Sequence, residues 1–197
     1  MPKIGILAIQ GDVKEHTLVL NEIGAEVVEV RLPDELEGLD GLVIPGGEST
    51  TIIQLIDLYG LRQPLISKIQ AGMPTWGTCA GMIVLAGSLI DERPDPLHLM
   101  DIEVSRNAFG AQIDSFETFI SVKHIGESKI RAVFIRAPVV TKVGKNVEIM
   151  AKLENDMPVC VRDGNMLATA FHPELTQDTR IHQYFVDLVN KSIDSRD

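Results

Sequence analysis

Only two cysteines, Cys79 and Cys160, occur in 197 residues. That is too few for a disulfide framework, and nothing in the chain calls for an oxidising compartment. No apolar run approaches the ~20 residues that span a bilayer. The opening run Lys3-Ile4-Gly5-Ile6-Leu7-Ala8-Ile9 is too short for a signal-peptide core with a cleavage site behind it, and reads as a buried strand. There is no basic stripe, and the formal net charge of −10 argues against a protein that grips a phosphate backbone. The Walker pattern G-x-x-x-x-G-K-[ST] is missing, as are a metal-ligand cluster, an internal repeat and a Ser/Gly-rich linker. What remains is an ordinary globular mix, 45% hydrophobic and 23% charged. A chain of this length buries roughly 70% of its unfolded surface as one domain, residues 1–197.

The first half alternates apolar strands with amphipathic helices. The run from Ile4 to Ile9 predicts a central parallel strand covered on both faces. Asp12-Val13-Lys14-Glu15 resembles a capping box, Gly24 supplies a C-terminal stop, and His16, Val19, Leu20 and Ile23 share one helical face between them. Glu26 to Arg31 and Gly41 to Ile44 read as the next strands. A helix with Ile52, Leu55, Ile56 and Tyr59 on one side follows the turn Pro45-Gly46-Gly47-Glu48-Ser49-Thr50. Strand-helix alternation at this spacing implies right-handed crossovers and a parallel sheet. Between residues 102 and 167 the texture becomes β-rich, at Phe116 to Val122, Val133 to Ile135 and Val147 to Ala151, which predicts antiparallel strands along the sheet edge. A closing helix carries Ile181, Tyr184, Phe185, Leu188 and Val189 on its apolar face. The expected fold is therefore α/β, a three-layer open sheet that is mostly parallel with antiparallel edge strands.

The chemistry concentrates at Gly77-Thr78-Cys79-Ala80-Gly81. Its position between an apolar strand and Met82-Ile83-Val84-Leu85-Ala86 predicts a strand-to-helix turn. There the flanking glycines let the backbone bend sharply and lift out a nucleophile, as G-x-S-x-G does for serine. A thiol at a helix N-terminus also gains thiolate character. An isolated cysteine is ordinarily a small buried hydrophobe, and Cys160, in the apolar strand Pro158-Val159-Cys160-Val161, has no turn chemistry to make it anything else.

His172 follows the strand Met166 to Phe171, and Pro173 is expected to keep the chain extended, so that Glu174 points the same way as His172 and reaches the imidazole. His16 reads as a core histidine, and His98, His124 and His182 have no carboxylate at a suggestive spacing. The Pro45-Gly46-Gly47-Glu48-Ser49 turn lies where ligands bind in open α/β sheets, and its backbone N–H groups are suited to holding an oxyanion.

These segments resemble the class I (triad) glutamine amidotransferases, whose fold is flavodoxin-like. The nearest resemblance within that group is to the glutaminase subunits of deoxyxylulose-independent pyridoxal 5′-phosphate synthases. It rests on Leu7-Ala8-Ile9-Gln10-Gly11, Pro45-Gly46-Gly47-Glu48-Ser49-Thr50-Thr51, Gly77-Thr78-Cys79-Ala80-Gly81, Arg106-Asn107-Ala108-Phe109-Gly110, Asp114-Ser115-Phe116-Glu117, Phe134-Ile135-Arg136-Ala137-Pro138 and Phe171-His172-Pro173-Glu174-Leu175-Thr176, which together cover essentially the whole chain.

The resemblance implies that Cys79 is the nucleophile, His172 the general base and acid, and Glu174 the orienting carboxylate. It implies that Gly46, Gly47, Glu48, Ser49, Arg106, Ile135 and Arg136 line a glutamine site, with N–H groups of Gly47 and Ala80 as the oxyanion hole. No cofactor or metal is implied. The implied partner is a (β/α)₈-barrel synthase, which takes up the ammonia, with the Gly46-Gly47 peptide reorienting on docking; the location expected is the cytoplasm, because a free catalytic thiol prefers a reducing compartment. The competing readings are the glutaminase of another synthase, such as that for imidazole glycerol phosphate, and a peptidase-like or redox cysteine protein of similar architecture.

Overall fold

The computed structural model describes residues 1–106 and 115–195. The Asn107-Ala108-Phe109-Gly110 part of the Arg106 motif, and Asp114, lie outside them. The chain runs β1 (Lys3–Leu7), α1 (Val13–Glu22), β2 (Glu26–Val30), β3 (Gly41–Ile44), α2 (Ser49–Leu58), α3 (Arg62–Gln70), β4 (Thr75–Thr78) and α4 (Ala80–Leu85). It continues through β5 (Ala86–Leu89), β6 (Met100–Ser105), β7 (Ser115–Ile120), β8 (Ile130–Ile135), β9 (Val139–Val143), β10 (Glu148–Lys152), β11 (Pro158–Asp163) and β12 (Met166–Thr169) to α5 (Arg180–Asp194).

Among the described residues, seven strands form the main sheet in the order β10-β11-β12-β4-β3-β1-β2. The five from β12 to β2 are parallel, and β11 and β10 extend the β12 edge antiparallel. The antiparallel expectation for the second half thus holds at the edge. The rest of that stretch forms two smaller sheets, β5-β6-β9 and β7-β8. The first strand ends at Leu7 rather than Ile9, because the chain turns at residues 8–12 towards α1.

The central strands are continuous apolar runs because helices cover both of their faces: Ile4, Ile6, Leu42, Val43, Ile44, Trp76, Leu167 and Ala168 have no exposure. The helix α4 is buried at every position, with Met82, Val84 and Leu85 fully enclosed. Each such side chain contributes about 1.5–3 kcal/mol. That anchors a six-residue helix which would not persist alone. From the far side α5 closes the core with Ile181, Phe185, Val186, Leu188 and Val189.

The chain passes from β1 to β2 on one side and then returns to β3 on the other, so strand order reverses beside β1. Ligands of open α/β sheets bind at such a reversal, outside the carboxyl ends of the strands. Four segments leave the sheet at those ends: Ala8 to Asp12 after β1, Pro45 to Glu48 after β3, Cys79 after β4, and Ala170 to Glu174 after β12. Pairing of Ile44 with Gly77 and of Thr78 with Thr169 brings the last three out side by side.

Candidate active site

At Cys79 the backbone takes φ 49° and ψ −104°, a conformation that L-residues rarely adopt, and a position of this kind costs on the order of 1–3 kcal/mol. The bend is therefore made by the cysteine and not, as the sequence suggested, by its glycines. Gly77 and Gly81 serve packing instead. A Cβ on Gly81 would overlap the Ile44 carbonyl oxygen of β3, and one on Gly77 would overlap the Gly81 carbonyl, so their bare backbones let α4 sit down on the sheet. The Cys79 N–H donates to the Thr169 carbonyl at 2.8 Å, and its Sγ lies 3.8 Å from the Ile135 carbonyl oxygen.

His172 lines the same cavity as Cys79, whose thiolate form would raise the imidazole pKa, and its Nδ1 lies 2.7 Å from Glu174 Oε1. Its own N–H donates to the Val133 carbonyl of β8 at 2.8 Å. The segment is not extended. Pro173 starts a 3₁₀ turn, Pro173–Leu175, because its fixed φ suits a first helical position. Tightening the chain there folds the Glu174 carboxylate back beneath the imidazole.

Burial alone would lower the His172 pKa. Hydrogen bonds with Asp12, Cys79 and Glu174 outweigh it and push the value up to about 12. Burial is also what acts most on Glu174, raising its pKa against the pull of His172. The contacts of His172 thus favour the imidazolium, while burial pulls Glu174 towards its neutral acid.

Asp12 is the residue that the sequence reading misassigned. Its side chain does not cap α1. The carboxylate turns instead to His172, with Oδ2 3.4 Å from Nδ1. Asp12, His172 and Glu174 thus bring possible ligand atoms within 4.8 Å of one another. A protonated Nδ1 has no lone pair to give an ion, so the cluster is suited to holding an imidazolium in place rather than to metal binding.

A cavity of about 380 Å³ opens over the sulfur, at the small-ligand end of the ~300–1,000 Å³ range. Cys79, His172, Gly47, Glu48, Ser49, Ala80, Arg106, Ile135 and Arg136 all line it. Gly46 stands behind the imidazole, where a Cβ would meet His172 Cε1 at 2.5 Å, and Glu174 lies beneath, its side chain out of water. Asp12, Ile83 and Leu175 also line the cavity. Asp12 alone carried a signal in the sequence, as an acid beside Gln10-Gly11 that also fits a helix start.

Local bonds hold the glycine turn. The Asp12 N–H donates to the Gly46 carbonyl at 3.0 Å, and the Glu48 N–H donates to Gln10 Oε1 at 2.8 Å. Glu48 in turn caps α2, accepting from the Thr50 and Thr51 N–H groups, and its Oε1 lies 3.4 Å from an Arg106 guanidinium nitrogen. Hydrogen bonds from Thr51 and Thr50 overcome partial burial and hold its carboxyl pKa down to about 2.

The other candidates lie elsewhere. Cys160 is fully buried in β11, and burial pushes its thiol pKa up. His98 and His124 do have carboxylate partners, Asp95 at 2.9 Å and Glu148 at 3.0 Å, but both are exposed and neither lines the cavity. Asp95 is three residues away on a loop, and Glu148 comes from β10, which spacing along the chain does not reveal.

The profile of the SNO glutamine amidotransferase family matches residues 6–191. A pyridoxal 5′-phosphate synthase subunit PdxT from Dehalococcoides mccartyi is 53% identical over 188 residues, spanning 94% of this chain and 96% of that protein. The PdxT subunit from Rhodococcus opacus is 50% identical over 196 residues, 95% of this chain and 97% of the relative. Among solved structures, the crystal structure of a glutamine amidotransferase superposes with a TM-score of 0.89 at 45% identity, covering 95% of this chain and 98% of the other.

Proposed function

This chain belongs to the SNO glutamine amidotransferase family, and on that premise we propose that Cys79, His172 and Glu174 release ammonia from glutamine for pyridoxal 5′-phosphate synthesis. The chain is the glutaminase subunit of that synthase, within vitamin B6 biosynthesis. Residues 1–197 act as one glutaminase domain, in the cytoplasm. No helix among the described residues is long and apolar enough to cross a membrane.

The reading is carried by one observation: a cysteine on a strained strand-to-helix turn, sharing a cavity with an imidazole that a buried carboxylate orients at 2.7 Å. The Cys79 thiolate attacks the side-chain carboxamide carbon. N–H groups of Gly47 and Ala80 hold the oxyanion. The His172 imidazolium gives its proton to the leaving nitrogen, ammonia departs, and a glutamyl thioester remains. Neutral His172 then takes a proton from water as it attacks the thioester, and glutamate leaves. Glu48, Ser49, Arg106, Ile135 and Arg136 shape the pocket around the substrate's charged end.

Ammonia released into bulk water near neutrality becomes ammonium, which is no nucleophile. The glutaminase therefore docks on a synthase subunit that receives ammonia along a protected path, and a (β/α)₈ barrel fits that role. A trans peptide sets its N–H opposite its carbonyl. The Gly46 carbonyl is held by the Asp12 N–H, so turning the Gly47 N–H means breaking that 3.0 Å bond. Docking provides the occasion. The test is glutamate release from glutamine by wild type and Cys79→Ala, each with and without the synthase subunit. Activity that needs Cys79 and rises on docking is expected, whereas a complex that leaves glutamine intact overturns the reading.

A further inference from the structure

Behind the triad, on the side away from the cavity, lies a second set of polar groups that the chemistry above does not use. His16 of α1 and His182 of α5 are both completely buried. They meet through His16 Nδ1 and His182 Nε2 at 3.0 Å. The other nitrogen of His16, Nε2, lies 3.2 Å from Thr78 Oγ1 and 3.5 Å from Glu174 Oε2. Glu174 Oε2 has no aligned hydrogen-bond donor, and His182 Nδ1 has no partner. Trp76 packs edge-on against both imidazoles, at ring-centroid distances of 5.3 and 4.8 Å.

This connectivity selects a tautomer. If His16 carried its proton on Nδ1, His182 would have to accept at Nε2 and bear its own proton on Nδ1, leaving a buried N–H with no acceptor. The His16 Nε2 lone pair would also face the Glu174 carboxylate. An orphaned buried N–H is rarer than an unused acceptor, and opposed lone pairs repel. In the alternative, His182 Nε2–H donates to His16 Nδ1, and His16 Nε2–H donates to Thr78 Oγ1 with its positive end 3.5 Å from Glu174 Oε2. No buried N–H of the two rings is then left without an acceptor, and what goes unused is the His182 Nδ1 lone pair and a Glu174 oxygen that the His16 dipole faces.

We propose that His16, held as its Nε2–H tautomer by His182, is a positioning residue that aims an N–H dipole at Glu174 and keeps that carboxylate ionised and facing His172. The proposal rests on the glutaminase reading of the triad. Without such a dipole, the second oxygen of Glu174 would sit in a dry interior with nothing opposite it, and burial favours the protonated acid. A protonated Glu174 no longer holds the His172 imidazolium.

The groups that face Glu174 are His172 at Oε1 and His16 at Oε2, with Asp12 nearby across His172 Nδ1, while Cys79 acts on the imidazole and not on the carboxylate. Burial, with the positive forms of His182 and His172 adding to it, keeps the His16 pKa well below 6.5, and burial holds His182 at about 3. Both rings stay neutral wherever the enzyme works, so the relay is a fixed dipole and not a pH switch.

The test uses the complex of this chain with its synthase subunit and reads glutamate release across pH. His16→Leu is expected to lower kcat about 10- to 100-fold, the worth of one contact to a charged group, with KM within about twofold because no substrate contact is touched. It also moves the acid limb of kcat upward by about one pH unit or more. His16→Gln, which can present an amide N–H in the same place, recovers part of both. A folded His16→Leu complex with wild-type kcat and an unmoved acid limb overturns the proposal.

Long-range ¹⁵N–¹H correlation on histidine-labelled wild-type protein provides a check that needs no variant. Protonation of His16 at Nε2 is expected, and protonation at Nδ1 overturns the proposal even where His16→Leu fails to fold. A wild-type complex that leaves glutamine intact refutes the glutaminase reading instead, and the tautomer measurement still decides this one.

Discussion

Nδ1 of His172 and Oε1 of Glu174 stand 2.7 Å apart although only Pro173 separates the two residues, because that proline begins a turn which brings the carboxylate under the ring. The Glu174 side chain has no exposure, so water cannot take over its role. Glu174→Gln keeps the shape and removes the charge that fixes the Nδ1–H tautomer. Replacing a triad carboxylate by its amide costs about 10⁴ in kcat in the best-studied case. Here a fall of about 10²–10⁴ in kcat for glutamate release is expected, with KM little changed. A variant within a few-fold of wild type would show that the imidazole is oriented by something else, with Asp12 the first suspect.

The two cysteines are expected to separate cleanly. Cys79 borders the cavity beside His172, whereas Cys160 is sealed in β11 with its thiol pKa pushed up by burial. Cys79→Ala should lower glutamine hydrolysis by about 10³–10⁶, while Cys160→Ala leaves the rate near wild type. Peptide mapping after treatment with a glutamine-shaped electrophile checks the same point: label on Cys79 alone is expected. Label on Cys160 would mean that β11 opens under working conditions.

Much of this arrangement was legible in the chain, and the failures have physical causes. The parallel core could be read because strands buried on both faces are continuous apolar runs, as at Gly41 to Ile44. Cys79, His172 and the Gly46-Gly47 turn could be read because each follows such a run, where an open sheet places its ligand site. Asp12 was misread because Asp followed three residues later by Glu describes a helix start equally well. Only the tertiary position of His172 draws its carboxylate away from α1. His16 and His182, 166 residues apart, have no pattern that links them, and their contact exists only because α1 and α5 each set an imidazole against Trp76 of β4. The helical period that placed His16 on an apolar face was right about its burial but silent on its partners.

Glu48 supplies a pH test of local stability. Its folded pKa, about 2, lies below the ordinary 4.5, because the Thr50 and Thr51 groups at the start of α2 stabilise the charged form more than partial burial disfavours it. A depressed carboxylate contributes stability above its unfolded pKa and loses it as pH falls through the folded one. Half of the side chain is exposed, so solvent screening keeps the effect small. Wild type should melt slightly above Glu48→Gln at pH 5–7, and the gap should close between about pH 4.5 and pH 2. Thermal melts across that range decide it. A gap independent of pH would mean that the carboxylate does not cap α2 as an ion.

Gly81 is expected to tolerate no side chain, for a reason unrelated to bending. Its φ is not in the left-handed region that favours glycine, so alanine suits the backbone there and would ordinarily favour a helix. The obstacle is the Ile44 carbonyl of β3, which a Cβ would overlap, and an interior strand cannot yield as a flexible side chain can. Overpacking of this kind costs about 1–3 kcal/mol or more, a fall in Tm of about 2–12 °C for a chain of this size. Ile44 is the last residue of the strand that leads into Pro45-Gly46-Gly47, so pushing it away also displaces the glycine turn from Cys79. Gly81→Ala should therefore lose both Tm and glutaminase rate. Mutating the exposed Gly24, where nothing lies within 4 Å of a Cβ, should cost some stability through its φ of 84° and leave the rate alone. If Gly81→Ala melts and turns over like wild type, the close seat of α4 on the sheet is not what holds the cysteine in place.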